Sequence, residues 1–192
     1  MSDWRSRLVH NLEPILKLED PHPKISSYHN MPYAIFWYPP EDEFALRKEV
    51  TLLSTRLEMA GKRVTVISLA KCLDEALKRS GMTVERMARA ERMTGTEKMC
   101  DTIHSVLSSR EPLDALVAEF LPPDPQPLLD IVFITRAGAL FPFYRTSSLM
   151  EQLQGKVLVP SVLFYPGSLD GAAGLRFMDI LDAEHNYRPL KF

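Results

Sequence analysis

Three stretches of this chain are apolar without interruption: YAIFWY at 33–38, DIVFIT at 130–135 and SVLFY at 161–165. A strand with one wet face alternates apolar and polar residues, whereas a continuously apolar strand has both faces covered. These three runs therefore call for a mostly parallel sheet lying between layers of helices. RVTVISL at 63–69 supplies a further strand. Between the strands the apolar period lengthens to helical spacing. Trp4, Leu8, Leu12, Ile15 and Leu16 share a face within 3–18. Leu46, Val50, Leu53, Leu57 and Ala60 share one within 41–61, where Gly61 stands at the C-terminal cap position. The interval 70–129 is too long for one crossover and is assigned two or three helices, with candidates at 70–80, 83–93 and 96–110 and with 111–121 either part of the last or separate. PPDPQP at 122–127 is a stiff connector. A helix follows at 147–154, the YPGSLDGAAG stretch near 166–174 reads as a surface loop, and the terminal HNYRPLKF reads as a short edge strand. The expectation is an α/β fold: one domain over 1–192, a mostly parallel sheet of four to five strands covered by helices on both faces, and a helical insert between the second and third strands.

Several function classes conflict with this composition. The 23 Lys+Arg against 25 Asp+Glu give a net charge of −2, without the basic stripe of a dedicated nucleic-acid binder, so direct nucleic-acid binding is not expected. Cys72 and Cys100 are isolated, which argues against a zinc site and against a disulfide framework. The charged N-terminus is unlike a signal peptide, and no apolar run is long enough to span a bilayer. No phosphate-binding glycine motif occurs, and the first strand ends in PPEDE, whose prolines lack N–H groups and whose carboxylates repel phosphate. The expectation is a soluble cytoplasmic protein with no metal, no cofactor and no membrane attachment.

In an open parallel sheet the carboxyl ends of the strands are the place to look for function. The third such end, TRAGALFPFYR, carries Arg136, Gly138, Pro142 and Arg145; the fourth carries Tyr165, Pro166 and Gly167. Arg136 and Arg145, with Tyr165, could grip a nucleotide or another anion; alternatively both arginines pair with acids while Gly138 supplies an unusual backbone dihedral. Ser148 and Glu151 have capping-box spacing for the helix that follows. Ser168, Asp170 and His185 stand in the chain order of a hydrolase triad, but without a nucleophile elbow, and turn chemistry accounts for GSLDG. No catalytic set emerges. Contact features are more evident: Trp4 as an interface anchor on an amphipathic helix, and an insert in which Arg86, Arg89 and Arg92 are interleaved with Met82, Met87, Met93 and Met99.

Thr135 to Pro142 with Arg145, then Leu153 to Lys156, Val162 to Gly167 and the His185–Arg188 end together resemble the BrxB family of bacteriophage exclusion (BREX) defence systems. The resemblance runs along the whole chain, most specific from Asp130 to Phe192 and loosest from Met1 to about Lys98. It implies a non-enzymatic accessory protein working with other defence components. Among these are the alkaline-phosphatase-like protein PglZ, the first choice of partner, then an AAA-type ATPase, and a DNA methyltransferase. The implied task is marking host DNA by methylation and blocking replication of phage DNA. No catalytic residues come with the resemblance.

Overall fold

Every apolar run forms a strand: β1 Tyr33–Tyr38, β2 Arg63–Ser68, β3 Asp130–Thr135 and β4 Ser161–Asp170. The structure, a computed structural model, describes residues 4–26, 32–171, 174–184 and 189–192. The four strands are parallel and lie side by side in the order β1-β4-β3-β2. The registers set Tyr33 beside Ser161, Arg63 beside Asp130 and Val132 beside Ser161. The helices are α1 (4–16, with a π-helical stretch at Leu8–Leu12), α2 His22–Ile25, α3 Glu43–Met59, α4 Leu69–Arg79, α5 Val84–Thr94, α6 (96–110, π-helical from Val106), α7 Leu113–Glu119 and α8 Thr146–Gln152.

Strand order decides which face each helix covers. From β1 the chain crosses over β4 and β3 to reach β2, then steps back through β3 to β4. Parallel crossovers are right-handed, so reversing the direction of travel puts the helices on the opposite face. The outward crossing carries α3, which joins α1 over Phe36, Phe133 and Phe164 in one core layer. The return crossings carry α4, α6, α7 and α8, which bury Ile35, Ile67, Val132, Ile134 and Leu163 in the other. Alternate residues of each strand serve alternate layers, which is why the runs are apolar throughout. Phe164 links its neighbours across the sheet, with ring centroids 5.7 Å from Phe36 and 5.3 Å from Phe133.

Charged groups fix the outer parts. Arg63 forks onto Asp130 with two bonds of 2.6 Å, pinning the β2–β3 register at its start. The Glu13 carboxylate, 5% exposed, receives Arg56 at 2.7 Å and ties α1 to α3. On the far side of β1 the chain end returns. Ile35 donates its N–H to the Leu190 carbonyl at 2.8 Å and Phe192 donates to the Ile35 carbonyl at 2.9 Å, so the terminal residues line the edge as expected. His185–Arg188 lie outside the described residues.

Two expectations are corrected. YPGSLDGAAG is no surface loop: β4 runs through Pro166 and Gly167 to Asp170, then β5 (Gly174–Phe177) pairs with it antiparallel. Tyr165, Pro166 and Gly167 are buried because β5 lies beside this extension. The capping box also fails. The helix starts at Thr146 with Arg145 as its N-cap residue, which makes no side-chain capping bond, so Ser148 sits inside the first turn.

Candidate functional site

In an open parallel sheet a crevice forms at the carboxyl ends of the strands where the connections change from one face to the other. Here β1 leads to α3 on one face while β3 leads to α8 on the other, and the β4–β5 hairpin rises between them. At that point a cavity of about 210 Å³ opens, walled by Pro40, Gly138, Ala139, Pro166 and Met178 and bearing Glu43, Arg47 and Arg136 as its charged groups. A second cavity of about 170 Å³ shares those three charged residues and runs toward Val66 on the outer strand.

Two acids of the first loop, Asp42 and Glu43, are occupied. Asp42 accepts the Trp4 indole N–H at 2.8 Å. Glu43 accepts the Tyr38 hydroxyl on Oε2 and Arg47 Nε on Oε1, the latter at 2.8 Å. Burial, reinforced by this carboxylate, raises the Tyr38 pKa, so its hydroxyl stays a donor. Both oxygens of Glu43 are thereby used. Across the cavity Arg136 holds a left-handed backbone (φ 60°, ψ 38°), which a side chain rarely adopts. Among the described residues its side chain has no ion-pair partner, and its Nε is buried without a hydrogen bond.

The remaining residues singled out in the sequence are scattered. Arg145 pairs with Glu184 and borders a separate cleft, away from the cavity that Arg136 lines. Tyr165 is fully buried with its ring 5.4 Å from Phe177, which makes it core and not a ligand grip. Gly138 lies in the short turn Ala137–Leu140 without a positive φ; the unusual dihedral belongs to Arg136, two residues earlier. What Gly138 supplies is space, since a Cβ there would stand 3.1 Å from the Met178 sulfur. Pro142 is exposed, after a cis peptide bond. Trp4 is 3% exposed and held by Asp42, so it anchors α1 internally and offers no interface. In the insert, Arg86, Arg89 and Arg92 are exposed on α5. Its methionines divide: Met99 is buried, Met82 and Met87 pack partly on the core, and Met93 is 79% exposed. Ser168 and Asp170 lie on β4, Asp170 within 3.6 Å of Arg176, while His185 is outside the described residues. Burial raises the Cys72 thiol to about 11, leaving it protonated. Sequence reasoning missed Arg47 and Met178; the Glu43/Arg47 spacing of four was the legible signal for the first, and nothing local marked the second.

The family sequence model described as BREX protein BrxB matches residues 65–192. The chain belongs to the BrxB family. A curated relative, the BREX protein BrxB of Bacillus cereus (strain H3081.97), is 28% identical over 158 residues, covering 81% of this chain and 80% of the relative. No solved structure matches significantly. The BrxB match contains the insert, β3, β4 and the hairpin, so Arg136, Gly138, Pro166 and Met178 fall inside it. Pro40, Glu43 and Arg47 precede it, and the crevice is therefore assembled from both sides of that boundary. No helix among the described residues is long and apolar enough to cross a membrane.

Proposed function

We propose that this BrxB-family chain is a non-enzymatic interaction subunit of a BREX anti-phage system, serving host DNA methylation and the block of phage DNA replication by binding other components. The observation that carries the reading is α5. This eleven-residue helix buries none of its own residues, and only Met87 and Ala90 pack partly on the core. A helix that contributes so little to its own core is stabilised by something else or kept for contact. Its outer surface presents Arg86, Arg89 and Arg92 with Glu85, Glu91 and the exposed Val84 (72%) and Met93 (79%), a mixed apolar and charged surface with an excess of one positive charge, suited to a protein contact with both apolar and acidic groups. PglZ is the partner proposed first and the AAA-type ATPase second.

The test is co-purification of the tagged chain with each BREX component, in parallel with a triple variant reversing Arg86, Arg89 and Arg92 to Glu. The expected result is a complex with PglZ that weakens at least ten-fold in the variant while the melting temperature stays within a few degrees. A partner-free wild-type chain in the presence of all components would overturn the interaction role. Normal binding by the variant would remove α5 as the surface.

A further inference from the structure

The crevice between β1 and β3 has an uncompensated cation. Of its three charged groups, Glu43 and Arg47 neutralise each other through the 2.8 Å bond, and the second oxygen of Glu43 is taken by Tyr38. Arg136 is left over, its Nε buried and unpartnered among the described residues. Such orphaned donors are uncommon in proteins and each calls for an explanation. The backbone strengthens the point, because Arg136 is held at φ 60° where asparagine or glycine would fit with less strain. A bulky cation kept in that conformation at a topological switch point is placed for contact and not for folding.

We propose that Arg136 and the cavity it borders form a binding site for a single carboxylate. Three features choose the ligand class. The planar guanidinium fork matches a carboxylate in two parallel bonds. The local charge is one positive unit, from Arg136 and Arg47 against Glu43, which balances a monoanion. Phosphate is disfavoured by the proline walls, since Pro40 and Pro166 offer no N–H groups, and by Glu43 facing the same space. The volume of about 210 Å³ accommodates one small acid or one acidic side chain, not a nucleotide. The carboxylate comes either from a free small acid or from an Asp or Glu of a partner. The site stands independently of the BREX role proposed above, because it is tested on the isolated chain.

The experiment follows the Arg136 side-chain Nε–H resonance and the amides of Gly138 and Ala139 by NMR, at constant ionic strength. The probes are acetate, N-acetyl-glutamate amide, its neutral glutamine counterpart and inorganic phosphate. Both carboxylates should give saturable shifts, with phosphate weaker and the glutamine compound silent. Tighter binding of the blocked glutamate than of acetate assigns the site to a partner's side chain; the reverse order assigns it to a free acid. Arg136→Asn should lose binding at least ten-fold while melting at the same or a higher temperature, since asparagine tolerates the left-handed backbone. Arg136→Lys, which keeps the charge without the fork, should bind more weakly than wild type. Arg145→Gln should bind normally. Absence of saturation by either carboxylate, tighter binding of phosphate, or unchanged binding in Arg136→Asn would each overturn the proposal.

Discussion

At Gly167 the strands β4 and β5 approach so closely that a Cβ would lie 2.0 Å from the Arg176 carbonyl oxygen and 3.0 Å from the Tyr165 ring. Its φ of 151° is also one that side chains rarely adopt. Backbone oxygen cannot swing aside as a side chain can, so the two halves of the hairpin would have to separate. Gly167→Ala should therefore destabilise by roughly 3 kcal/mol, at the high end of overpacking costs. Gly138 makes a contrast. The atom facing it is the flexible end of Met178, which can rotate away, so Gly138→Ala should be several-fold milder. Urea denaturation of the two variants checks the ranking, and equal losses would show that the hairpin yields more easily than its geometry indicates. The pair shows how a strand glycine and a turn glycine differ in the neighbour each has been cleared for.

Among the elements, α1 depends on one charged contact as well as on its apolar face. Glu13 receives Arg56 of α3 and Lys17 of its own turn, and the hydrogen bond from Arg56 is the main cause that holds its carboxyl below the ordinary 4.5. A depressed folded-state pKa means the native state keeps this proton off more readily than the unfolded chain. The contribution is fully present above the unfolded value and fades as pH falls through the folded one. Glu13→Gln should cost about 1.5–3 kcal/mol at pH 7, the range for a hydrogen bond to a charged group, and the deficit should shrink on acidification toward pH 3. Denaturation midpoints of both proteins at the two pH values measure it; a deficit independent of pH would assign the loss to packing. Elements of this kind were largely legible in the sequence. Continuous apolar runs located β1 and β3 to the residue, and helical spacing located α1 and α3, because burial on one or two faces writes a period directly into the chain. In the insert the length of the interval called for two or three helices, where four form. β5 and the extension of β4 were not legible, since GSLDGAAG is turn-like in composition and its first four residues, 167–170, become strand only through the partner they meet. The site was half legible. Arg136 was visible as a cation after a strand, but its separation from Arg145 depends on Glu184, thirty-nine residues away from Arg145.

For the whole molecule, the sheet order β1-β4-β3-β2 means that the two strands nearest the N-terminus form the rims and the two later strands form the middle. Neither early strand touches the other. A fragment ending at residue 129 has both rims with nothing between them, and should show no cooperative unfolding by circular dichroism, whereas the full chain should. A cooperative transition in the fragment would mean that α1 to α7 form a core without the central strands. The same order has a consequence during synthesis. A ribosome that has released the first 129 residues has exposed YAIFWY and RVTVIS with no native neighbour for either, and must add β3 and β4 before those strands can be covered. Most contacts in this sheet then form late and over long sequence distances, a regime of slow folding in which aggregation competes. The nascent chain should depend on chaperones until residue 165 emerges, and Leu190 to Phe192, added later still, are the residues that line the far side of β1.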